Sequence, residues 1–127
     1  MNKESIYILE DRGIIYITGE DTFNYLQNII SNDLKKVTNN QSCFSYLLTP
    51  QGKYLFEFII IKHKSGYFLD CPKYQIENLL KQLALYKLRS RVEITNLSNE
   101  FIIAALSKNI FSEFAPNQNK GMTIKFR

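Results

Sequence analysis

One run of residues restricts the fold of this 127-residue chain more than any other feature. Residues 54–61 are all aromatic or aliphatic except Glu57. Aromatic and β-branched side chains favour strands. An apolar run without alternation indicates a strand covered on both faces rather than a half-exposed edge. We therefore expect residues 53–61 to form a central strand of a sheet.

Turn signals on both sides of this run predict a meander. Thr49-Pro50-Gln51-Gly52 precedes it, and proline and glycine suit a tight turn after a strand at residues 43–48. His63-Lys64-Ser65-Gly66 follows it and leads to a strand at 66–71. Four more short strands are expected at residues 6–9, 14–18, 92–94 and 101–106.

Two helices complete the predicted architecture. The first follows Gly19, is capped by Thr18 or Asp21, and ends near residues 31–33. Its apolar positions recur every three or four residues at Phe23, Leu26, Ile30 and Leu34. The second begins near Pro72, and its core-facing stripe comprises Ile76, Leu79, Leu80 and Leu83. The fold class is α+β, with a mostly antiparallel sheet and two main helices. We expect a domain over residues 1–106, followed by a weakly structured tail or the truncated start of a second domain at 107–127.

Composition excludes several functional classes. The net charge of +4 fits a solvated basic surface or, alternatively, contact with a polyanion, but no RNA-reading aromatic motif accompanies it, so we do not expect direct nucleic-acid binding. Cys43, Cys71 and the single histidine, His63, are too few for the usual zinc sites. The sequence has no secretion signal and no apolar run of membrane-spanning length, so we expect a cytoplasmic protein without a membrane segment.

Few residues could carry chemistry. No familiar nucleophile, phosphate-loop or metal motif is present, so we predict no catalytic residue and no metal ligand. Glu57 must pair, reach solvent or anchor a ligand in a mostly apolar cavity, because an unpaired buried charge is costly. Asp33 suits a turn or cap, and Gln27 either satisfies local backbone groups or binds a ligand. Tyr54 and Phe56 belong to the core or stack on a flat heterocycle.

The order of these pieces resembles one family. The series comprises a strand ending in Gly19, a short helix with Leu26-Gln27-Asn28, the Ser31-Asn32-Asp33 turn, and Leu47-Leu48-Thr49-Pro50-Gln51-Gly52-Lys53 leading into the apolar strand. It is similar to the first domain of folate-binding YgfZ-like proteins, relatives of the aminomethyltransferase (T-protein, GcvT) of the glycine cleavage system. The resemblance covers approximately residues 7–94.

The resemblance implies a function and a ligand. Such proteins enclose a folate cavity between three domains, so tetrahydrofolate or a derivative is the expected cofactor. Its expected ligand-binding residues here are Glu57, Phe56, Tyr54, Asp33 and Gln27. YgfZ-like members are implicated in iron–sulfur cluster assembly or repair and, through it, in tRNA modification. Iron–sulfur proteins or their assembly factors are therefore the implied partners.

Two departures from the family bear on activity. T-proteins carry adjacent carboxylates after the glycine turn, whereas this chain has Phe56-Glu57, which favours a non-enzymatic YgfZ-like role over aminomethyl transfer. The later Lys-Gly-Cys-x-x-Gly-Gln-Glu signature is absent, so we expect a fragment or a shortened member. Missing neighbouring domains would leave an apolar face free for self-association. A ligand-free interaction module is the remaining alternative.

Overall fold

A computed structural model describes residues 6–49, 51, 53–101 and 103–106, with Ile6, Tyr54, Ala105 and Leu106 described by their backbone alone. Seven strands and two α-helices lie in this part of the chain. In chain order they are β1 (Ile6–Ile8), β2 (Arg12–Thr18), α1 (Thr22–Ile29), β3 (Cys43–Leu48), β4 (Tyr54–His63), β5 (Gly66–Pro72), α2 (Ile76–Lys87), β6 (Glu93–Asn96) and β7 (Ala104–Leu106). Two 3₁₀ turns, Leu34–Lys36 and Lys73–Gln75, precede β3 and α2.

Five of the strands form one antiparallel sheet in the order β3-β4-β5-β2-β6. Strands β1 and β7 pair separately, also antiparallel. This arrangement confirms the predicted α+β class. The first two strands of the chain do not pair with each other, because β2 lies between β5 and β6.

Strand β4 is paired on both sides, as its apolar sequence predicts. Its Glu57 lies opposite Tyr46 of β3, and its Ile59 lies opposite Asp70 of β5. The expectation that both faces are covered is only half right. Phe58 and Ile60 are buried under the helices, whereas Leu55 and Glu57 on the opposite face are exposed. We call this opposite side of the five-stranded sheet the outer face.

The main core lies between the sheet and the two helices. The predicted stripe of α2 packs there, with Ile76, Leu79 and Leu83 buried and Leu80 partly buried. For the first helix, the prediction that the apolar positions are buried is correct for the last three of them and wrong for Phe23, which is 38% exposed. These last three, Leu26, Ile30 and Leu34, are buried. In place of Phe23, Tyr25 is buried, and its hydroxyl donates a hydrogen bond to the Leu83 carbonyl at 2.5 Å.

A smaller apolar cluster covers one end of the outer face. Buried Ile14, Ile61 and Phe68 form its centre. Partly buried side chains pack against them, and these are Tyr16, Ile59, Leu97, Phe101 and Ile103. The segment before β7 therefore covers the β2 end of the outer face and leaves the β3 end open.

Several predicted boundaries differ from the structure. Strand β6 begins one residue later than expected and extends to Asn96, and β7 begins at Ala104. Asp21 occupies the N-cap position of α1, but its carboxylate accepts a hydrogen bond from the Arg91 amide at 2.7 Å instead of capping the helix. Pro50 and Gly52 of the predicted hairpin turn lie outside the described residues, as does the predicted tail at 107–127.

An ion pair between Arg12 and Asp70 joins β2 to β5 on the outer face. The Arg12 Nε donates to the Asp70 carboxylate at 3.0 Å, and Arg12 Nη2 donates to the Asp70 carbonyl at 3.1 Å. Asp70 is 8% exposed. Burial raises the pKa of the Asp70 carboxyl above its ordinary value, and the Arg12 charge and hydrogen bond offset part of that rise.

Arg12→Met should reduce the free energy of unfolding by about 2 kcal/mol near neutral pH, because it leaves a buried carboxylate unpaired. The pKa of Asp70 in the folded variant should rise further above its unfolded value. The folded state would then bind a proton that the unfolded state has lost, so stability falls as pH rises through the acidic range. Urea unfolding from pH 4 to 7 should show a deficit that shrinks toward acidic pH. A deficit that is the same at every pH would contradict this account, and Arg12→Met combined with Asp70→Asn is the control that should recover stability.

Gly19 joins β2 to α1 with a φ of 129°. A Cβ at this position would collide with the carbonyl oxygen of Arg91. Gly19→Ala should therefore cost roughly 1–3 kcal/mol of stability, through backbone strain and the displaced neighbour. Glu20→Ala is the matched control, since it removes only the exposed ion pair with Arg91 and should cost less than about 1 kcal/mol. Equal urea midpoints for Gly19→Ala and the unmodified chain would refute the prediction.

Candidate functional site

The outer face of β3 and β4 brings Glu57 together with apolar and aromatic side chains. Successive strand residues point to opposite faces, so Glu57 and Ile59 share the outer face while Phe58 faces the helices. Leu55 is exposed next to them, at a register shift between β4 and β3. The pairing of Tyr46 with Glu57 places Tyr46 beside the carboxylate. This surface, comprising Phe44, Tyr46, Leu55, Glu57 and Ile59, is called the β3–β4 patch below.

The carboxylate of Glu57 has no hydrogen-bond or ion-pair partner among the side chains that the structure describes. Its side chain is exposed, which removes the cost that burial would impose. Its backbone, in contrast, is held, because the Gln75 side-chain amide donates to the Glu57 carbonyl at 2.8 Å. The strand therefore presents an acceptor at a fixed backbone position to whatever occupies the outer face.

Aromatic rings flank the carboxylate on β3. The rings of Phe44 and Tyr46 meet edge to face, with 5.0 Å between centroids. Phe44 is 48% exposed and Leu55 on the neighbouring strand is 44% exposed. Flat apolar surface beside one polar acceptor is the composition that small-molecule sites use, with few polar groups set in mostly apolar walls.

Phe56 does not lie beside Glu57. It is partly buried and packs against the cluster under the helices, on the opposite side of the sheet. Tyr54 pairs through its backbone with Leu48, and its side chain lies outside those described. Of the two predicted residues of this strand whose side chains are described, Glu57 lies on the outer face and Phe56 does not.

Gln27 and Asp33 form a local network of their own. The Gln27 amide donates to the Asp33 carboxylate at 2.9 Å, and its oxygen accepts from the Leu34 amide at 2.7 Å. Asp33 also caps the following 3₁₀ turn by accepting from the Lys35 amide at 3.0 Å. The Gln27 hydrogen bond and then the Lys35 backbone contact lower the pKa of Asp33. Turn-forming contacts thus account for both side chains, and their role toward a ligand stays a prediction.

The segment after α1 protects the open edge of β3. Ile30 forms a bridge with Leu47, and the Ser31 amide donates to the Tyr46 carbonyl at 2.9 Å. Asn32 donates through its side chain to the Phe44 carbonyl at 2.9 Å. Edge coverage of this kind blocks strand-to-strand association and also fixes the strand that carries the two aromatic rings.

Sequence analysis missed the two rings of β3 as site residues. Phe44 and Tyr46 alternate with buried Ser45 and Leu47, and this alternation was the available signal for a shared face. Their position next to Glu57 depends on the β3–β4 register, and a shift of one residue would put them on the other face. Only the paired structure provides that register.

The remaining candidates do not assemble into a reactive centre. Cys71 is buried, and burial, followed by repulsion from Asp70, raises the pKa of its thiol to about 11. Burial likewise raises the pKa of Cys43. His63, expected in the turn, instead ends β4, and its ring stacks on Phe68 with 4.5 Å between centroids. Among the described residues, no group of three or more histidine, cysteine or acidic side chains could hold a metal ion.

Two shallow surface depressions lie away from the β3–β4 patch. One surrounds Gly19 and Arg91, and the other surrounds Leu88 and Arg89. Both are open to solvent, and neither contacts Glu57. No helix in the described part of the chain has the length and apolar content needed to cross a membrane.

Sequence comparisons relate the chain to three groups of proteins, although no protein-family model matches it. An aminomethyltransferase of Thermoanaerobacter pseudethanolicus is 30% identical over 100 residues, covering 78% of this chain and 27% of that protein. A mitochondrial iron–sulfur cluster assembly factor IBA57 homolog of Mycosarcoma maydis is 26% identical over 112 residues, covering 77% and 28%. The tRNA-modifying protein YgfZ of Buchnera aphidicola subsp. Baizongia pistaciae is 28% identical over 100 residues, covering 79% and 31%.

A solved structure shows the same fold. The glycine cleavage system aminomethyltransferase T from Bartonella henselae superposes with a TM-score of 0.74 at 15% identity, covering 94% of this chain and 34% of that one. The chain thus spans between about a quarter and a third of the length of the three relatives named above. In sequence and in fold, the chain belongs to the superfamily that contains the aminomethyltransferases and the YgfZ-like proteins, and it matches one domain-sized portion of them.

Proposed function

We propose that this chain is a non-enzymatic folate-binding domain of the YgfZ-like type, acting in iron–sulfur cluster assembly or repair and thereby in tRNA modification. One observation carries the proposal. The Glu57 carboxylate stands without a partner among the described side chains, on an exposed strand face beside Phe44 and Leu55. A pterin offers both an N–H edge for a carboxylate and a flat ring for apolar contact, so this surface suits it.

The proposal changes the composition of the half-site expected from the sequence. Glu57 remains its polar anchor, and Phe44 and Tyr46 replace Phe56 as the aromatic surface, since Phe56 packs in the core. Tyr54, Asp33 and Gln27 remain proposed contributors. Because the β3–β4 patch is open, we expect weak affinity from this domain alone, with the rest of the cavity supplied by other domains.

Relatives support the biological part of the proposal. One is described as an iron–sulfur cluster assembly factor and another as a tRNA-modifying protein. We propose that iron–sulfur proteins or their assembly factors are the partners and that the protein works in the cytoplasm. A folding unit over residues 1–106 and self-association through the β3–β4 patch are further parts of the proposal, the latter because Phe44 and Leu55 leave apolar surface exposed.

Aminomethyl transfer is the second candidate, favoured by relatives described as aminomethyltransferases. The aromatic residue at position 56 is weaker support for a non-enzymatic role than the sequence suggested. Phe56 faces the core on the helix side of the sheet, so packing accounts for an aromatic residue at this position. Glu57 still provides one carboxylate on the outer face. A ligand-free interaction module is the third candidate.

Glu57→Gln should abolish or greatly reduce the thermal stabilisation that tetrahydrofolate or 5-formyltetrahydrofolate gives the unmodified chain. A ligand that binds the native state at tenfold excess over its Kd stabilises it by about 1.4 kcal/mol. The amide keeps the size of the side chain but cannot accept a charge-assisted hydrogen bond. Glu77→Gln is the matched control, because Glu77 is an exposed carboxylate on α2, away from the outer face.

The thermal shift separates the candidates. A shift that is lost in Glu57→Gln and kept in Glu77→Gln supports a folate half-site at Glu57. Equal shifts in both variants would remove Glu57 from the site. No shift at millimolar folate, together with a stable oligomer in sedimentation, would favour the interaction module.

An assay for turnover separates the two folate candidates. The proposal predicts that folate binds but that tetrahydrofolate is not consumed when an aminomethyl donor is added. Consumption that requires Glu57 and persists in Glu77→Gln would contradict the non-enzymatic role and establish the aminomethyltransferase alternative.

A further inference from the structure

The β4–β5 ladder ends at Ile59 and Asp70, just before a position where a backbone donor would be missing. A two-residue turn at Lys64-Ser65 joins the strands, so His63 and Gly66 form a hydrogen-bonded pair. In an antiparallel ladder every second pair along the strands is again a hydrogen-bonded pair. Ile59 with Asp70 is such a pair. Continuing this register by two residues places Glu57 opposite Pro72, whose nitrogen carries no hydrogen.

A backbone hydrogen bond on the β2 side of β5 is consistent with this register. The Lys73 amide donates to the Asp11 carbonyl at 2.7 Å, toward the β2 side. Consecutive strand residues direct their backbone amides alternately to the two neighbouring strands, so the nitrogen of Pro72 is directed toward β4. The Glu57 carbonyl would therefore remain without a ladder donor, at the residue that carries the candidate ligand acceptor.

Gln75 supplies the missing donor. Its Nε2 lies 2.8 Å from the Glu57 carbonyl oxygen. Its side chain is 6% exposed, one of only four buried polar residues in the described part of the chain. Burying a polar amide is unfavourable unless it is hydrogen-bonded, and the Glu57 carbonyl provides an acceptor for this buried amide.

We propose that Gln75 is a positioning residue for the ligand site: it replaces the amide that Pro72 lacks and thereby fixes the β4 backbone at Glu57. This inference rests on the proposed folate half-site for its functional consequence. Since α2 begins at the next residue, the contact also couples the start of that helix to the strand that presents the carboxylate. Loss of the contact would leave this end of β4 held by its ladder with β3 and not by α2.

The central variants are Gln75→Met, which keeps the length of the side chain and removes its donor, and Gln75→Met combined with Pro72→Ala, which returns an amide to the ladder. The matched control is Tyr86→Phe. This substitution removes another hydrogen bond from α2 to a strand, in which the Tyr86 hydroxyl lies 3.3 Å from the Leu48 carbonyl oxygen. That hydrogen bond does not involve Glu57.

Two readouts are measured well below the unfolding temperature. One is the affinity for 5-formyltetrahydrofolate, and the other is the ¹³C chemical shift of the Glu57 carbonyl, which needs no ligand. Gln75→Met should weaken binding by on the order of tenfold and move the Glu57 carbonyl signal. Adding Pro72→Ala should restore a substantial part of the affinity and of the original carbonyl shift. Tyr86→Phe should change neither the affinity nor the Glu57 carbonyl shift.

The two readouts keep this inference separate from the proposed function. Unchanged affinity in Gln75→Met, in a chain that does bind folate, would overturn the positioning role. If the unmodified chain binds no folate, the proposed function fails, and the carbonyl signal alone decides whether Gln75 positions Glu57. A signal that moves and is restored by Pro72→Ala supports the backbone role, and a signal that does not move overturns it.

Discussion

The pairing register of β4 determines the position of every residue in the candidate site. Tyr46 opposite Glu57 and Ile59 opposite Asp70 fix which side chains face the helices and which face outward. Because side chains alternate along a strand, a slip of one residue would bury Glu57 and expose Phe58. Burial of Phe58 and Ile60 under the helices opposes such a slip. The hydrophobic core thus also orients the ligand surface.

The two faces of the sheet differ in how completely they are covered. Helices α1 and α2 bury one face, whereas the segment around Leu97 and Phe101 covers only part of the other. Arg12 and Asp70 form an ion pair on this outer face. Apart from Ile59, which packs against the covered cluster, the β3–β4 patch lies on the open part. Its exposed apolar side chains are therefore available to a ligand or to another domain.

Much of the fold follows from local sequence patterns, and most of the site does not. The apolar run at 54–61, the turn signal between β4 and β5, and the stripe of α2 each predict their element correctly. Phe23 was misassigned because an eight-residue helix can turn either of two apolar stripes inward, and the packing of Tyr25 on α2 decides between them. His63 was misassigned because its contact with Phe68 joins residues of two strands. The resemblance to the superfamily was confirmed by sequence and fold comparisons. The neighbours of each site residue, however, depend on strand register, which local sequence patterns do not specify.

The most direct test of the central claim is to map folate contacts by NMR, from side-chain and amide signals of the unmodified chain during titration with 5-formyltetrahydrofolate. The account predicts that the largest changes fall on the Phe44 and Tyr46 rings, the Leu55 and Ile59 methyl groups and the Glu57 carboxyl, with α2 beyond its first turn unaffected. Largest changes on the exposed face of α2 or around Gly19 and Arg91, with the outer face unchanged, would contradict it.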